Sequence, residues 1–258
     1  MKFYKWQGTG NDFVILDNRE EKMTEPSSDM IKYLCDRRYG IGADGLMVLN
    51  NNHIYDFSMQ YFNSDGIEAE MCGNGGRCMI GFAYQLGIIG DDTRFMAFDG
   101  LHAGRVLGED KYLLQMIDLK EFRKTDNYYY INTGVPHVVK FVNKVDKVDV
   151  FKEGRKIRNN KDFEPAGTNV NFVQKFGKGI KIRTYERGVE NETLSCGTGA
   201  VASAIAAYLE FGLERKQIKC LVSGGELLVR FERNKSGEFS DISLEGPAHH
   251  VYSGKISF

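Results

Sequence analysis

The 258-residue sequence lacks the marks of several common protein classes. No apolar run is long enough to cross a bilayer; the longest, Ala200–Leu209, is short and contains Ser203. The opening segment, MKFYKWQGTGND, turns polar by Gln7 and has no apolar core of signal-peptide length, which predicts a cytoplasmic protein. Neither sign of charge dominates. With 34 basic and 35 acidic side chains and a net charge of −1, there is no general reason to bind nucleic acid or an anionic membrane. Among five cysteines (Cys35, Cys72, Cys78, Cys196, Cys220) there is no C-x-x-C pair, and their odd number argues against a disulfide framework. The five histidines do not sit at ligand spacing from them, so no structural metal is expected. No G-x-x-x-x-G-K-[ST] phosphate loop occurs. GIGADG at Gly40–Gly45 spells a dinucleotide fingerprint, but the strand-like LMVL follows it where a helix should.

What the sequence does contain is a repeat. At a shift of 124, Tyr4 matches Tyr128, Thr9–Gly10 matches Thr133–Gly134, and Val14 matches Val138. Tyr61 matches Tyr185, Glu68 matches Glu192, and Cys72–Gly73 matches Cys196–Gly197. Gly75 then matches Gly199, Ala83–Tyr84 matches Ala207–Tyr208, and Gly100 matches Gly224, with no drift in the offset. Two copies of one domain of about 120 residues, related by a pseudo-twofold, account for this.

Each copy reads as many strands around one long helix. Asp56–Phe62, Gly179–Tyr185, Tyr112–Met116, His137–Val142, Glu226–Phe231 and Val251–Ile256 are rich in β-branched and aromatic residues. Helices are expected from about Asn74 to Leu86 and from about Thr198 to Phe211. The second is apolar nearly all round, and so must be buried by a sheet curled about it. Ser27–Arg38 reads as a Ser-capped amphipathic helix with Ile31, Leu34 and Cys35 on its apolar face. The Lys- and Asp-rich interval Asn143–Asn160 reads as a solvated excursion.

Cys72 and Cys196 each precede Gly-x-Gly and the start of a helix. Glycines there expose several backbone N–H groups, and the positive helix end both attracts an anion and lowers the pKa of a thiol. Two such thiols in symmetric settings suit inversion of a stereocentre: one thiolate removes an α-proton and the opposing thiol returns one to the other face. The bland reading makes both cysteines small buried hydrophobes, but a paired context favours chemistry. Cys35, Cys78 and Cys220 sit at apparent core positions.

At these residues the chain resembles the diaminopimelate epimerases. The resemblance runs through GTGNDFVILDN (Gly8–Asn18), GIGADG (Gly40–Gly45) and FNSDGIEAEMCGNGGRC (Phe62–Cys78). It continues through GVPH (Gly134–His137), GTNVNFV (Gly167–Val173) and YERGVENETLSCGTGA (Tyr185–Ala200). It implies an α/β (α+β) fold of two pseudo-symmetric domains, each a curled, mostly antiparallel sheet around a central helix, with the active site in the cleft between them. Residues 1–117, completed by a C-terminal strand at 247–258, would form one domain and residues 118–246 the other. The family implies a cofactor-independent, usually homodimeric enzyme that uses no pyridoxal phosphate and serves lysine and peptidoglycan precursor synthesis. Cys72 and Cys196 would be its acid–base pair, with His137 and Glu186 assisting. Asn11, Asn63, Gly73, Asn74, Asn169, Glu186, Arg187, Gly197 and Thr198 would contact the small amino-acid substrate.

Read singly, Arg187 is as well explained by a surface ion pair with Glu190 or Glu192, and Asn11 or Asn169 by a turn cap. His137, beside Val138 and Val139, has a structural rival reading. Many members have Asn where this chain has Val135, and some have Gln where it has Gly45. Two alternatives follow: a racemase of this fold acting on another amino acid such as histidine, or a non-catalytic amino-acid binding protein. Proline racemases typically carry His after the first Cys–Gly, where this chain has Asn74.

Overall fold

The computed structural model describes residues 1–20, 25–70, 72–119, 122–213 and 215–257, and among these described residues there are seventeen short strands and four α-helices. No helix among the described residues is long and apolar enough to cross a membrane. The chain divides into two units, Met1–Leu114 with Gly246–Phe258, and Gln115–Glu245.

In the first unit the strands are β1 (Lys2–Gly8), β2 (Asn11–Asp17), β3 (Gly45–Asn50), β4 (Phe57–Asn63), β5 (Asp92–Ala97), β6 (Gly100–Gly108) and β7 (Lys111–Gln115). The last strand of the chain, β17 (His249–Lys255), pairs with β1. The ladder runs β17-β1-β2-β3-β4-β5-β6-β7, with β2/β3 and β4/β5 parallel and the other pairs antiparallel. Parallel neighbours require a crossover. The helix α1 (Ser28–Cys35) lies between β2 and β3 in sequence, and α2 (Gly73–Gln85) between β4 and β5.

The second unit repeats this plan. Its strands are β8 (Phe122–Lys124), β9 (Tyr129–Asn132), β10 (Pro136–Phe141), β11 (Asn169–Phe176), β12 (Gly179–Glu186), β14 (Gln217–Val222), β15 (Gly225–Arg233) and β16 (Phe239–Pro247). They run in that order, with β10/β11 and β12/β14 parallel. The short β13 (Asn191–Thr193) pairs with β12 as an addition. Helices α3 (Val150–Arg158) and α4 (Gly197–Phe211) occupy the two crossovers.

Hydrogen-bond register shows where the repeat holds and where it slips. Phe13 pairs with Gly45, and His137 with Asn169, so the shift of 124 is right for β2/β10 and β3/β11. Leu46 faces Phe62 whereas Val170 faces Tyr185, so residue 62 corresponds to 185 and the shift on β4/β12 falls to 123. It returns to 124 at the helix starts, Gly73 and Gly197, and becomes 125 at the starts of β6 and β15, Gly100 and Gly225. The offset therefore drifts, contrary to the sequence reading. Tyr61 corresponds to Thr184 and not to Tyr185, and Gly100 to Gly225 and not to Gly224, because turns absorb single insertions while ladders do not.

Both central helices are buried, α4 as its apolar circumference demands and α2 despite carrying Asn74 and Arg77. Every residue of α2 from Gly73 to Ala83 is buried, against β1, β2, β3, β6 and β17. In α4, Gly197 and Gly199–Ala207 are buried against β9, β10, β11, β12, β14 and β15, and Gly212 at φ +57° ends the helix. α1 covers the opposite face of its sheet: Ser27 Oγ accepts from Met30 N at 3.3 Å, and Ile31, Leu34 and Cys35 pack on Val14, Leu16, Leu46 and Val48. It stops at Cys35, three residues short of the expected end.

The interval Asn143–Asn160 is not a solvated excursion. Asp149 caps α3 by accepting from Lys152 N, and Val145 and Val150 join Val138, Phe163, Val170 and Tyr185 in a core. Gly154 permits that contact, since a Cβ there would lie 2.4 Å from Tyr185 Cβ. High charge belongs to the outer face of α3. The crossover itself is obligatory for the parallel pair β10/β11.

Candidate active site

Each of the two cysteines singled out by the sequence stands at the N-cap of its unit's central helix. Cys72 is the N-cap residue of α2 and Cys196 that of α4, and neither cysteine's own side chain makes a capping hydrogen bond. The first-turn N–H groups of a helix have no partner within the helix, and such a start suits an anion. Cys72 is half-buried and Cys196 buried; Cys35, Cys78 and Cys220 are buried in the cores, and burial pushes their thiols well above the usual range.

Around Cys72 the structure gathers Asn11 and Asn74. Asn11 Oδ1 accepts from Asn74 Nδ2 at 3.2 Å and from Cys72 Sγ at 3.6 Å, and Asn11 Nδ2 donates to Asp44 at 2.7 Å. Asp44 shares Arg37 with Asp12, and Asp12 also meets the buried Lys5. Burial works to raise the Asp12 carboxyl, but Arg37 and Lys5 outweigh it and hold it at about 2. Asn11 is thus fixed by an ion-pair network and is not a turn cap. Asn63 stands apart: exposed at the end of β4, it accepts from Tyr61 OH at 2.8 Å. Gly45 leaves no space for a side chain, because a Cβ would come within 2.6 Å of Phe62 O.

Arg77, absent from the sequence reading, is fully buried in α2. It donates to Gly73 O at 3.1 Å and Asn74 Oδ1 at 2.9 Å, which ties the helix start to the asparagine. Burial lowers its pKa to about 10, still a cation at neutral pH.

Around Cys196 the arrangement differs. Thr198 Oγ1 lies 3.5 Å from Cys196 Sγ, and Thr133 Oγ1 donates to Thr198 O at 3.0 Å. Asn169 Oδ1 accepts from Arg187 N at 2.8 Å while its Nδ2 donates to Pro136 O, so Asn169 links two strand ends. The Arg187 guanidinium donates to Ala166 O, whereas Glu190 pairs with Arg158 and Glu192 with Arg183. Among the described residues Arg187 has no ion pair, which removes its surface-pair reading. Glu186 Oε2 accepts from Thr193 Oγ1 at 2.9 Å.

His137 is fully buried on β10. Asn171 Nδ2 donates to Val138 O and lies 3.1 Å from His137 Nδ1, while Asn171 Oδ1 accepts from Thr184 Oγ1 at 2.9 Å. Neither Asn171 nor Thr184 was singled out in the sequence. The available signal was alternation, which puts Asn171 on the same strand face as Asn169.

Burial pushes His137 down to about 3, and the charge of Arg187 acts in the same direction. The unfolded chain takes up a proton near the ordinary value of about 6.5 that the folded chain refuses. The contribution of His137 to stability is therefore full above about pH 6.5 and is lost as pH falls toward 3, by up to about 1.4 kcal/mol per unit. Denaturant midpoints of the wild-type protein should fall more steeply between pH 6.5 and 5 than those of His137→Phe, which copies Phe13 of the first unit. Parallel slopes would refute this.

Comparison with known proteins follows the same outline. The family model described as diaminopimelate epimerase matches residues 3–109 and 129–251. The chain belongs to the diaminopimelate epimerase family. It is 48% identical over 257 residues to the diaminopimelate epimerase of Flavobacterium psychrophilum, covering 99% of this chain and 100% of that one. It is 42% identical over 276 residues to that of Aquifex aeolicus, covering 100% and 98%. Similarity of fold reaches further. A phenazine biosynthesis protein of the PhzF family from Bacillus anthracis matches with a TM-score of 0.79 at 13% identity, covering 100% of this chain and 99% of that one. A probable proline racemase from Agrobacterium radiobacter matches at 0.70 and 13%, covering 99% and 92%. At such identities only the architecture is shared. As a member of the epimerase family the chain is an isomerase.

Proposed function

We propose that this member of the family converts L,L-diaminopimelate to the meso form, with Cys72 and Cys196 as the two acid–base groups. The observation that carries the reading is the placing of a cysteine at the N-cap of each central helix, with its side chain making no capping hydrogen bond. One sulfur, as thiolate, takes the α-proton; the other, as thiol, delivers a proton to the opposite face, and the carbon is inverted. N–H groups of Gly73–Asn74 and Gly197–Thr198 hold the α-carboxylate and steady the charge that grows as the proton leaves. Arg187, without an ion pair among the described residues, offers its planar fork to the distal carboxylate. Asn11, Asn63 and Asn169 read amino and carboxylate groups, and His137 and Glu186 support the thiols. The reading needs neither metal nor pyridoxal phosphate, and extends to a cytoplasmic homodimer serving lysine and peptidoglycan precursor synthesis.

A second reading is kept because Val135 stands where the first unit has Asn11, at the shift of 124 that holds for β2 and β10. It is racemisation of another amino acid, such as histidine. Incubation with L,L-diaminopimelate in D₂O, without added cofactor, decides between them. One deuterium at the inverted α-carbon with meso product is the expected result. No exchange and no product from folded, reduced protein would overturn it, and exchange into L-histidine in a parallel arm would favour the second reading. Thiols that also resist iodoacetamide would point to a binding protein.

A further inference from the structure

The two units act as each other's control. Beneath Cys72, a Cβ on Gly75 would meet Met47 Sδ at 3.1 Å and Phe13 Cζ at 3.6 Å, and Phe13 packs edge-on to Tyr61 with centroids 5.9 Å apart. Register makes Phe13, Met47 and Tyr61 the counterparts of His137, Asn171 and Thr184. A Cβ on Gly199 would meet Asn171 Oδ1 at 2.4 Å and Cys196 Sγ at 3.2 Å, so Asn171 lies beside Cys196 and links His137 and Thr184 to it. One backbone plan is filled with apolar groups in one unit and with buried polar groups in the other. Packing alone does not ask for the polar set, which costs desolvation.

The hydrogen bonds determine the chemical form of that set. Asn171 faces Val138 O, which only accepts, so its amide nitrogen must lie on that side and its oxygen toward Thr184. The same nitrogen is 3.1 Å from His137 Nδ1 and has a second proton to give. Nδ1 must then be the acceptor, and the ring proton resides on Nε2. Nε2 is buried and has no hydrogen-bond partner among the described residues. A buried donor without a partner is costly and rare, and it points to a ligand or reacting group that takes the bond.

We propose that Asn171 is a positioning residue that locks His137 as the neutral Nε2–H tautomer, so that His137 serves the Cys196 half of the reaction as a hydrogen-bond donor and never as a base. A pyrrole-type Nε2 cannot accept a proton, and Nδ1 is occupied by Asn171. The proton traffic then passes through the two sulfurs alone. The charged and titratable groups on neighbouring elements do not undo this. Tyr129 on β9 is engaged by Glu210 and Lys124, Glu186 on β12 by Thr193, and Arg187 opposes a second proton on the ring. For its consequence in turnover the inference rests on the proposed epimerase reading; for the tautomer it does not.

The test is ¹⁵N–¹H correlation spectroscopy of histidine side chains, with His137 assigned by His137→Phe. In the wild-type protein His137 should show a protonated Nε2 and a bare Nδ1, unchanged from pH 8 to 5. Asn171→Asp, which can no longer donate, should move the proton to Nδ1 and bring the ring into titration within that range. Its kcat should fall at least about 10-fold with a smaller change in KM, as an imposed wrong tautomer does elsewhere. If the aspartate variant does not fold, Asn171→Met, which copies Met47, should lose the fixed tautomer instead. A protonated Nδ1 or a midpoint between pH 5 and 8 in the wild-type protein overturns the inference, as does an unchanged ring in a folded variant. Absence of turnover alongside the expected spectra would remove the epimerase reading and leave the tautomer standing.

Discussion

Replacing either Cys72 or Cys196 with Ala should stop conversion of L,L-diaminopimelate, lowering kcat by about 10³-fold or more. In the proposed mechanism each thiol has one task in each direction, and alanine supplies neither a base nor a proton donor in its place. The two losses are also distinguishable. A variant that retains its base can still remove the α-proton and return it to the same face, so deuterium would enter without inversion. The double variant should do neither. Full epimerisation by Cys72→Ala or Cys196→Ala, measured as meso product over time, would end the two-thiol mechanism.

Gly199→Ala should be far more damaging than Gly75→Ala, although the two positions correspond. At Gly199 the added carbon would meet Asn171 Oδ1 at 2.4 Å, and that amide is held by Val138 O, His137 and Thr184. It cannot yield without breaking the network under Cys196. At Gly75 the nearest atom is Met47 Sδ at 3.1 Å, the end of a flexible thioether. We expect Gly199→Ala to lose roughly 100-fold in kcat, on the scale of removing one donor from a reacting site. Stability should fall by about 1–3 kcal/mol, the usual cost of overpacking. Gly75→Ala should stay within about 10-fold. Comparable activities in the two variants would show that the polar floor has no special role.

Much of this was legible from residue types in order. Cys-Gly-x-Gly before an apolar run stands at the helix start in both units, and a helix without a polar side must be enclosed. The Ser27 cap and the spacing of Ile31, Leu34 and Cys35 gave α1 for the same local reasons. The misreading of Asn143–Asn160 shows the limit of such signals. Its charges concealed Val145, Val150 and the Asp149 cap, yet the repeat shift applied to α1 lands on α3, and the parallel pairing it bridges leaves no alternative.

By itself, then, the sequence determined the two central helices, the enclosure of the second and the thiols at their starts, because each is a matter of neighbours within a few residues, and it showed the two-copy plan through identities 124 residues apart. Only the tertiary structure decided the rest. The register of β4 against β3 and of β12 against β11 slips the repeat by one residue and pairs Tyr61 with Thr184, a matter of ladder hydrogen bonds that identities at a constant shift do not report. His137, Asn171 and Thr184 meet from three strands, and Arg77 reaches Asn74 and Gly73 inside a helix that its charge would place on the surface. Whether a buried polar group is a fault or a device depends on its partners, and those are chosen by strand register and helix packing across dozens of residues.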